Sequence, residues 1–180
     1  MRTIPRIFTL LLFSLVTLPE ILFAGGANPK LEPVALGSIE TAHRLGTVWL
    51  AAQPAREDLA IARELGIRTI ISLRFKDEIG WDEEAAVRSL EMRYVNSAFR
   101  TPEELTDALL DALRKQLNEA DGPVLLHCAT GNRVGAVWMA HRILDSGLSD
   151  PDALQEAETV GLKNAALRDR VREYVDRSRR

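Results

Sequence analysis

Cysteine and histidine, which build disulfide frameworks and many metal centres, are scarce in this chain. The sequence has one cysteine and three histidines among 180 residues. One cysteine permits no internal disulfide, and so few scattered ligands give no zinc-type spacing. We therefore expect a protein without internal disulfides that needs neither a metal nor another cofactor.

An excess of positive charge is also lacking. The chain carries 23 Lys and Arg against 26 Asp and Glu, a formal net charge of −3. A mildly acidic chain is a poor candidate for non-specific nucleic-acid binding. Repeats and low-complexity tracts are absent as well, and the length suits one domain with a sizeable core.

The N-terminal segment resembles an export signal. Arg2 and Arg6 precede an apolar run over residues 7–18, and small residues, Gly25 and Ala27, lie just before a possible cleavage point after Ala27. This order is typical of a secretory signal peptide, and the run is too short for an ordinary transmembrane helix. We expect export, most simply to a bacterial periplasm, and no stable membrane association once the signal is removed. An uncleaved anchor remains the alternative.

The rest of the chain divides into a lead-in segment, residues 28–44, and one domain, residues 45–180. Short β-branched and apolar runs alternate with helical patterns along the domain. This alternation predicts an α/β fold with a central, mostly parallel sheet flanked by helices. The predicted strands are residues 48–51, 67–73, 92–95 and 124–127, and residues 39–45 are expected to pair beside the first of them across Gly46. The main predicted helices are residues 81–90, which have an acidic first turn, residues 133–146 and one that starts at Thr101.

Cys128 lies where the last predicted strand meets the helix that begins near Arg133. A helix N-terminus with a tight glycine-containing loop binds anions and favours the reactive thiolate form of a cysteine. Arg133 adds a planar fork that can hold two oxygens of a phosphate-like group. We predict Cys128 as nucleophile and Arg133 as clamp, with an amide cradle from Ala129, Thr130, Gly131, Asn132 and Arg133. Alternatively, Cys128 is only a small buried apolar residue.

Further polar residues are expected around this loop. In an open α/β sheet the loops at the carboxyl ends of the strands meet, so residues 53–54, 74–78, 97–101 and 128–133 should converge. This places Arg74 near the anion as a supporting residue, unless it pairs with Asp77 or Glu78. His127 either orients the loop or is an ordinary strand residue.

The segment from His127 through Cys128 to Arg133 resembles the signature of cysteine-dependent tyrosine and dual-specificity phosphatases. Four residues separate Cys128 from Arg133, however, where that signature has five. Four is the spacing of rhodanese-type sulfurtransferases. Both features together resemble the phosphatase-like domain family of beta-lactamase hydrolase-like proteins. Residues 49–54, 66–74 and 93–95 support this resemblance, which spans roughly residues 45 to 145.

The resemblance implies a dual-specificity-phosphatase-like fold and hydrolysis of phosphate monoesters through a phosphocysteine. Such enzymes use a general acid, usually Asp, on the loop that here covers residues 97–101, and that loop has no carboxylate. The candidates for this role are Asp77, Glu103 and Asp107. Val134 also stands where the family usually has a Ser or Thr hydroxyl. We therefore expect a slow or unusual phosphatase.

Two other functions stay open on the residues alone. A rhodanese-like sulfurtransferase would carry a persulfide on Cys128 and would need no general acid. A non-catalytic module would bind an oxyanion in the cradle without turnover. The expected partner is accordingly a phosphorylated or sulfur-donor anion, either a phosphoprotein or a small metabolite, and the pattern favours no particular oligomeric state.

Overall fold

The computed structural model describes residues 29–180, so the predicted signal segment, residues 1–27, lies outside the described residues. Its six strands form one sheet in the order β1-β2-β3-β6-β4-β5. The strands are β1 (Glu32–Pro33), β2 (Ala42–Leu45), β3 (Val48–Ala51), β4 (Thr69–Ser72), β5 (Arg93–Asn96) and β6 (Val124–His127). Strands β3, β6, β4 and β5 are parallel to one another, whereas β1 and β2 are antiparallel to their neighbours.

Helices cover both faces of the sheet. They are α1 (Asp58–Glu64), α2 (Glu83–Ser89), α3 (Asp107–Asn118), α4 (Asn132–Leu144), α5 (Asp150–Val160) and α6 (Ala165–Ser178), and a short 3-10 turn spans Lys76–Glu78. Helices α1 and α2 pack on one face, and α3 to α6 pack on the other. The predicted α/β class with a mostly parallel central sheet is therefore confirmed.

The central strands β3, β4 and β6 are buried along their whole length. Along β6, Leu126 faces the α3–α6 side, whereas Leu125 faces α1 and α2. Parallel strands with helices on both faces favour such continuous apolar runs over strict alternation. Among residues 29–180, no helix combines the length and the apolar character that crossing a membrane requires.

Part of the predicted lead-in segment, residues 28–44, contributes to the sheet. Its last residues form β2, which pairs with β3 across Gly46 and Thr47, as the sequence predicts for residues 39–45. Its first part supplies β1 at the sheet edge, a pairing that the irregular, proline-containing sequence does not signal. Pro33 is tolerated there because an edge strand leaves some N–H positions unpaired.

The predicted helix start at Thr101 is wrong. Residues 101–105 form a separate turn, in which the Glu104 carboxylate accepts a hydrogen bond from the Arg100 N–H at 2.5 Å. Helix α3 begins at Asp107, and the Thr106 side chain caps it by accepting from the Leu109 N–H at 3.2 Å. Two threonine cap signals thus lie five positions apart, and the second one starts the helix.

Candidate functional site

The site centres on Cys128, which follows β6 directly and is 1% exposed. Gly131 ends the loop in the left-handed region, with φ of +85°, and α4 begins at Asn132. An L side chain adopts this backbone rarely, so glycine suits the reversal from strand to helix. The strand, loop and helix junction lies where the sequence predicts it.

The loop offers free backbone donors. Within residues 29–180, the N–H groups of Ala129, Thr130, Gly131, Asn132 and Arg133 donate to no backbone carbonyl outside the regular ladders, and the first bond of the helix runs from the Gly135 N–H to the Gly131 carbonyl. Unpaired N–H groups at a helix start, with the positive end of the helix dipole, form an anion-binding arrangement. The predicted cradle is chemically available.

Arg133 is held from several sides and is only 11% exposed at its side chain. Its Nη1 donates to the carbonyl oxygens of Leu73 at 2.8 Å and Phe99 at 2.7 Å, and to Glu78 Oε2 at 3.0 Å. Its Nη2 donates to Glu78 Oε1 at 2.9 Å. A guanidinium has five N–H donors, so these bonds leave the Nε hydrogen and one Nη2 hydrogen for a ligand.

Glu78 therefore anchors Arg133. From the sequence, Glu78 is expected only as a possible ion-pair partner of Arg74. Its Oε2 also accepts from the Phe75 N–H at 2.8 Å. The hydrogen bonds from Arg133 lower the pKa of Glu78 below its usual range, although partial burial opposes them. Glu78 is accordingly ionised at neutral pH.

Arg74 supports the loops and does not form the ion pair considered for it. Its Nη1 donates to Gln53 Oε1 at 2.8 Å, and its Nη2 donates to the main-chain carbonyl of Glu78, not to a carboxylate. The Gln53 N–H donates to the Ala129 carbonyl at 3.4 Å. Together with the contacts of Arg133, these bonds bring the four predicted loops together at the carboxyl ends of β3 to β6.

His127 is fully buried and faces an unexpected carboxylate. Its Nε2 lies 3.3 Å from Glu83 Oε1, within ion-pair distance but out of line for a good hydrogen bond. Glu83 also accepts from Gln53 Nε2 at 2.7 Å and from the Tyr94 hydroxyl at 3.0 Å. Sequence reasoning treated Glu83 only as an acidic first-turn residue of a helix, and no local signal marks it as buried.

These contacts decide how the buried groups titrate. Burial by itself would raise the pKa of Glu83, but the contacts with His127, Gln53 and Tyr94 more than offset it, so that the pKa lies below its usual range. Burial and the neighbouring carboxylate raise the pKa of Tyr94 to about 12, which keeps its hydroxyl a donor. Glu83 is thus a charged carboxylate beneath the loop.

The three candidate general acids lie in different places. Asp77 belongs to the 3-10 turn, and its exposed carboxylate pairs with Arg100. Glu103 lies in the turn after residue 100, where a hydrogen bond from Thr101 lowers its pKa. Asp107 opens α3 and pairs with Arg170 and Arg177 of α6, which assigns it a structural role and argues against it as the acid.

The segment between α5 and α6 packs against the Cys128 loop. The Asn132 side-chain oxygen accepts from the N–H groups of Lys163 at 3.1 Å and Asn164 at 3.2 Å. A Cβ built on Gly161 would come within 2.8 Å of the Thr130 carbonyl oxygen, and one built on Gly131 would meet the Val160 carbonyl oxygen at 2.2 Å. The loop and the α5–α6 connection therefore approach each other through two glycines.

The described side chains do not form a metal-binding group. No group of three or more His, Cys, Asp or Glu side chains within residues 29–180 is arranged to hold a metal ion. The site itself offers a buried thiol, an arginine fork and backbone amides that can surround an anion.

The chain matches a known protein family over the region that builds this site. The model of the family described as "Beta-lactamase hydrolase-like protein, phosphatase-like domain" matches residues 44–144. This range contains the Cys128 loop and all of α4, and it ends before α5.

Among curated proteins, the chain is 32% identical over 118 residues to a protein named dual specificity protein phosphatase TpbA, from Pseudomonas aeruginosa strain UCBPP-PA14. The alignment covers 64% of this chain and 51% of that protein. The chain thus spans about half the length of this curated relative.

Solved structures share the fold. A crystal structure of a cysteine-to-serine variant of P. aeruginosa TpbA in complex with phosphotyrosine has a TM-score of 0.63 and 26% identity, covering 81% of this chain and 87% of that one. The core catalytic domain of a PP-IP phosphatase from S. cerevisiae, in complex with citrate, has a TM-score of 0.60 and 20% identity, covering 72% and 81%. The second likeness concerns the fold alone. The predicted phosphatase-like fold is confirmed.

Proposed function

Because the chain belongs to the family of the beta-lactamase hydrolase-like protein, phosphatase-like domain, we propose that it is a cysteine-dependent phosphatase that hydrolyses phosphate monoesters. The observation that carries the proposal is the loop from Cys128 to Arg133, in which a buried thiol, free backbone N–H groups and an oriented guanidinium meet at one helix N-terminus. The likeness to a tyrosine and dual-specificity type of phosphatase supports it.

The reaction takes place in two displacement steps at phosphorus. The Cys128 thiolate attacks, an S–P bond forms, and the bond from phosphorus to the leaving oxygen breaks as that oxygen takes a proton from water. Water then attacks the phosphocysteine, the S–P bond breaks, and inorganic phosphate leaves with the thiolate restored. The free N–H donors of Arg133 and of the loop hold the phosphoryl oxygens, where negative charge develops in each transition state.

The first step has no dedicated proton donor among the described carboxyl groups around Arg133. Glu78 is the carboxylate nearest to the guanidinium, but it is ionised through its bonds to Arg133, as its lowered pKa indicates. Asp77 and Glu103 are exposed, and each is engaged with another side chain. The enzyme should therefore favour substrates whose leaving group departs easily without protonation.

The substrate is a phosphorylated anion, and an aryl phosphate such as phosphotyrosine fits the mechanism best because a phenolate leaves more readily than an alkoxide. The complex of the related protein with phosphotyrosine supports this class. We also propose that the protein acts after export, in a bacterial periplasm, on the basis of the signal-like pattern of residues 1–27. Because the four-residue spacing between Cys128 and Arg133 is also that of sulfurtransferases, the test of this proposal includes their reaction.

A paired turnover assay on the purified protein tests this proposal. One arm uses p-nitrophenyl phosphate, and the other uses thiosulfate with cyanide as the sulfur acceptor. Phosphate release that disappears in both Cys128→Ser and Arg133→Ala supports the phosphatase. Thiocyanate formation without phosphate release would replace it by the sulfurtransferase, and phosphate binding without turnover in either arm would replace it by an oxyanion-binding module.

A further inference from the structure

Glu83 is a buried carboxylate that the proposed reaction does not use. It lies in the first turn of α2 and is 3% exposed, whereas the next residue, Glu84, pairs with Lys76 and Arg88 at the surface. Burying a carboxylate costs free energy unless its oxygens find partners. The hydrogen-bond partners of Glu83 therefore indicate its structural role.

Those partners come from the ends of the central strands. Gln53 follows β3, Tyr94 lies on β5, and His127 is the last residue of β6. Gln53 in turn accepts from Arg74, which follows β4. One carboxylate thus contacts, directly or through Gln53, a residue from or next to each of the four parallel strands.

Two sets of contacts lead from Glu83 to the site. In the first, His127 precedes Cys128 in the chain and is fully buried, so the imidazole and the adjoining peptide have little freedom to move independently. In the second, Gln53 binds Arg74, Arg74 donates to the Glu78 carbonyl, and the Glu78 carboxylate holds Arg133. The Gln53 N–H also donates to the Ala129 carbonyl within the loop.

We propose that Glu83 is a positioning residue, whose carboxylate orients His127 behind the nucleophile and, through Gln53 and Arg74, keeps Arg133 in its reacting geometry. This inference rests on the proposed function for its catalytic consequence. A neutral amide of the same shape would fill the space equally well. The carboxylate is needed because both of its oxygens accept hydrogen bonds, Oε1 from Gln53 and Oε2 from Tyr94, whereas an amide accepts on one oxygen only. Its negative charge also lies 3.3 Å from the imidazole edge of His127.

Glu83→Gln tests the role of the charge at nearly constant volume. We expect kcat for p-nitrophenyl phosphate to fall about tenfold while KM stays within about twofold, which separates positioning from substrate binding. The rate at which iodoacetamide alkylates Cys128 in the folded protein should fall as well. Glu84→Gln is the matched control, because it removes a partly exposed carboxylate at the next position, and it should change neither rate.

Gln53→Ala is a second variant that tests the contacts from Gln53 to Arg133 separately. It keeps the proposal testable if Glu83→Gln does not fold. The half-buried Gln53 links Glu83 to Arg74, and it also donates to the Glu83 oxygen that faces His127. Its loss leaves the charge of Glu83 in place, so it should lower kcat/KM several-fold and slow the alkylation of Cys128 less than Glu83→Gln does. An unchanged kcat/KM in folded Gln53→Ala would show that the contacts from Glu83 through Gln53 and Arg74 do not position Arg133. A Glu83→Gln protein that melts earlier but keeps both its kcat and its alkylation rate would overturn positioning altogether.

The alkylation assay also distinguishes failure of this inference from failure of the proposed function. It needs no turnover, so Glu83→Gln slows alkylation even if the protein releases no phosphate from any ester. If the wild-type enzyme is active and Glu83→Gln changes neither measurement, the proposed function stands and the positioning role of Glu83 is wrong.

Discussion

The guanidinium of Arg133 and the carboxylate of Glu78 face each other through two hydrogen bonds, Nη2 to Oε1 at 2.9 Å and Nη1 to Oε2 at 3.0 Å. Main-chain carbonyls of Leu73 and Phe99 complete the set around Nη1. A two-bond pair of this kind fixes the plane of the guanidinium as well as its position. The edge of Arg133 that remains free therefore has a defined direction before any phosphate arrives.

Removal of the Glu78 carboxylate should weaken catalysis. Charge-assisted hydrogen bonds contribute about 1.5–3 kcal/mol, and the two carbonyl contacts to Arg133 remain, so we expect Glu78→Ala to lower kcat/KM by about tenfold. Steady-state kinetics with p-nitrophenyl phosphate measure this change. Asp77→Ala, at the adjacent exposed position, is the control. A higher kcat/KM in Glu78→Ala would show that Glu78 competes with the substrate instead of orienting Arg133.

The rate should depend steeply on the leaving group. Because no described carboxyl group near Arg133 is free to donate a proton, the leaving oxygen must depart with little help, and general acid catalysis typically contributes about 100-fold or more. We expect kcat/KM to decrease strongly from p-nitrophenyl phosphate to phosphotyrosine and further to an alkyl phosphate. Asp77→Asn and Glu103→Gln should change each value by less than about threefold. A selective loss with phosphotyrosine in either variant would identify that residue as the acid.

Phosphocysteine hydrolysis should limit turnover. In related phosphatases a Ser or Thr hydroxyl at the position of Val134 is expected to help the cysteine leave the phosphoenzyme. Val134 is fully buried and has no hydroxyl, so the Cys128 thiolate leaves without this help. We expect a burst of p-nitrophenol equal to the enzyme concentration in a stopped-flow experiment, followed by slow release. Val134→Ser should shrink the burst and raise the steady rate, at a stability cost of about 1–3 kcal/mol for burying a hydroxyl.

Val137→Ser provides the comparison for that experiment. Val137 is equally buried in α4 but lies one turn farther from the loop. It should lose similar stability and keep the wild-type burst. If the wild-type protein shows no burst while it hydrolyses the ester, the first step is rate-limiting and Val134 does not explain a slow enzyme.

Asp107 should matter for acid stability and not for catalysis. Hydrogen bonds from Arg177 and Arg170 lower the pKa of Asp107 to about 2. The two ion pairs therefore stabilise the fold fully at pH values above the ordinary Asp pKa of about 4, and this stabilisation is lost as the pH falls toward about 2. Asp107→Asn should therefore lower the melting temperature at neutral pH, by a small amount because the pairs are partly exposed, and the difference should vanish in strong acid. Its kcat/KM should equal the wild-type value, and Asp121→Asn, which forms no ion pair with the described residues, should change neither property.

The nucleophile loop could be predicted from the sequence because its determinants are local. An apolar strand, Cys128, a glycine and a helical pattern follow one another within about fifteen positions, and each signal acts on its neighbours. The same holds for the hairpin of β2 and β3 around Gly46. Convergence of the four loops also follows from a general property of parallel sheets.

The residues that hold the site in place could not be predicted in this way. Glu78 and Glu83 lie far from Cys128 in the sequence. In the sequence, both look like ordinary exposed acidic residues in the first turn of a helix. Only the packing of α2 against the sheet buries Glu83, while Glu84 beside it stays at the surface. The start of α3 cannot be predicted for a related reason, since Thr101 and Thr106 carry equivalent local signals and tertiary context selects between them.

The close approach of Gly131 and Gly161 ties the catalytic loop to a part of the chain that the family match does not include. Neither glycine can acquire a side chain unless the backbone on the opposite side moves, so both positions should remain glycine among relatives that keep this arrangement. The segment that identifies the family therefore does not contain everything that shapes its cradle. Transplanting residues 44–144 into another protein would carry over the nucleophile and the arginine but leave behind the surface against which their loop is formed.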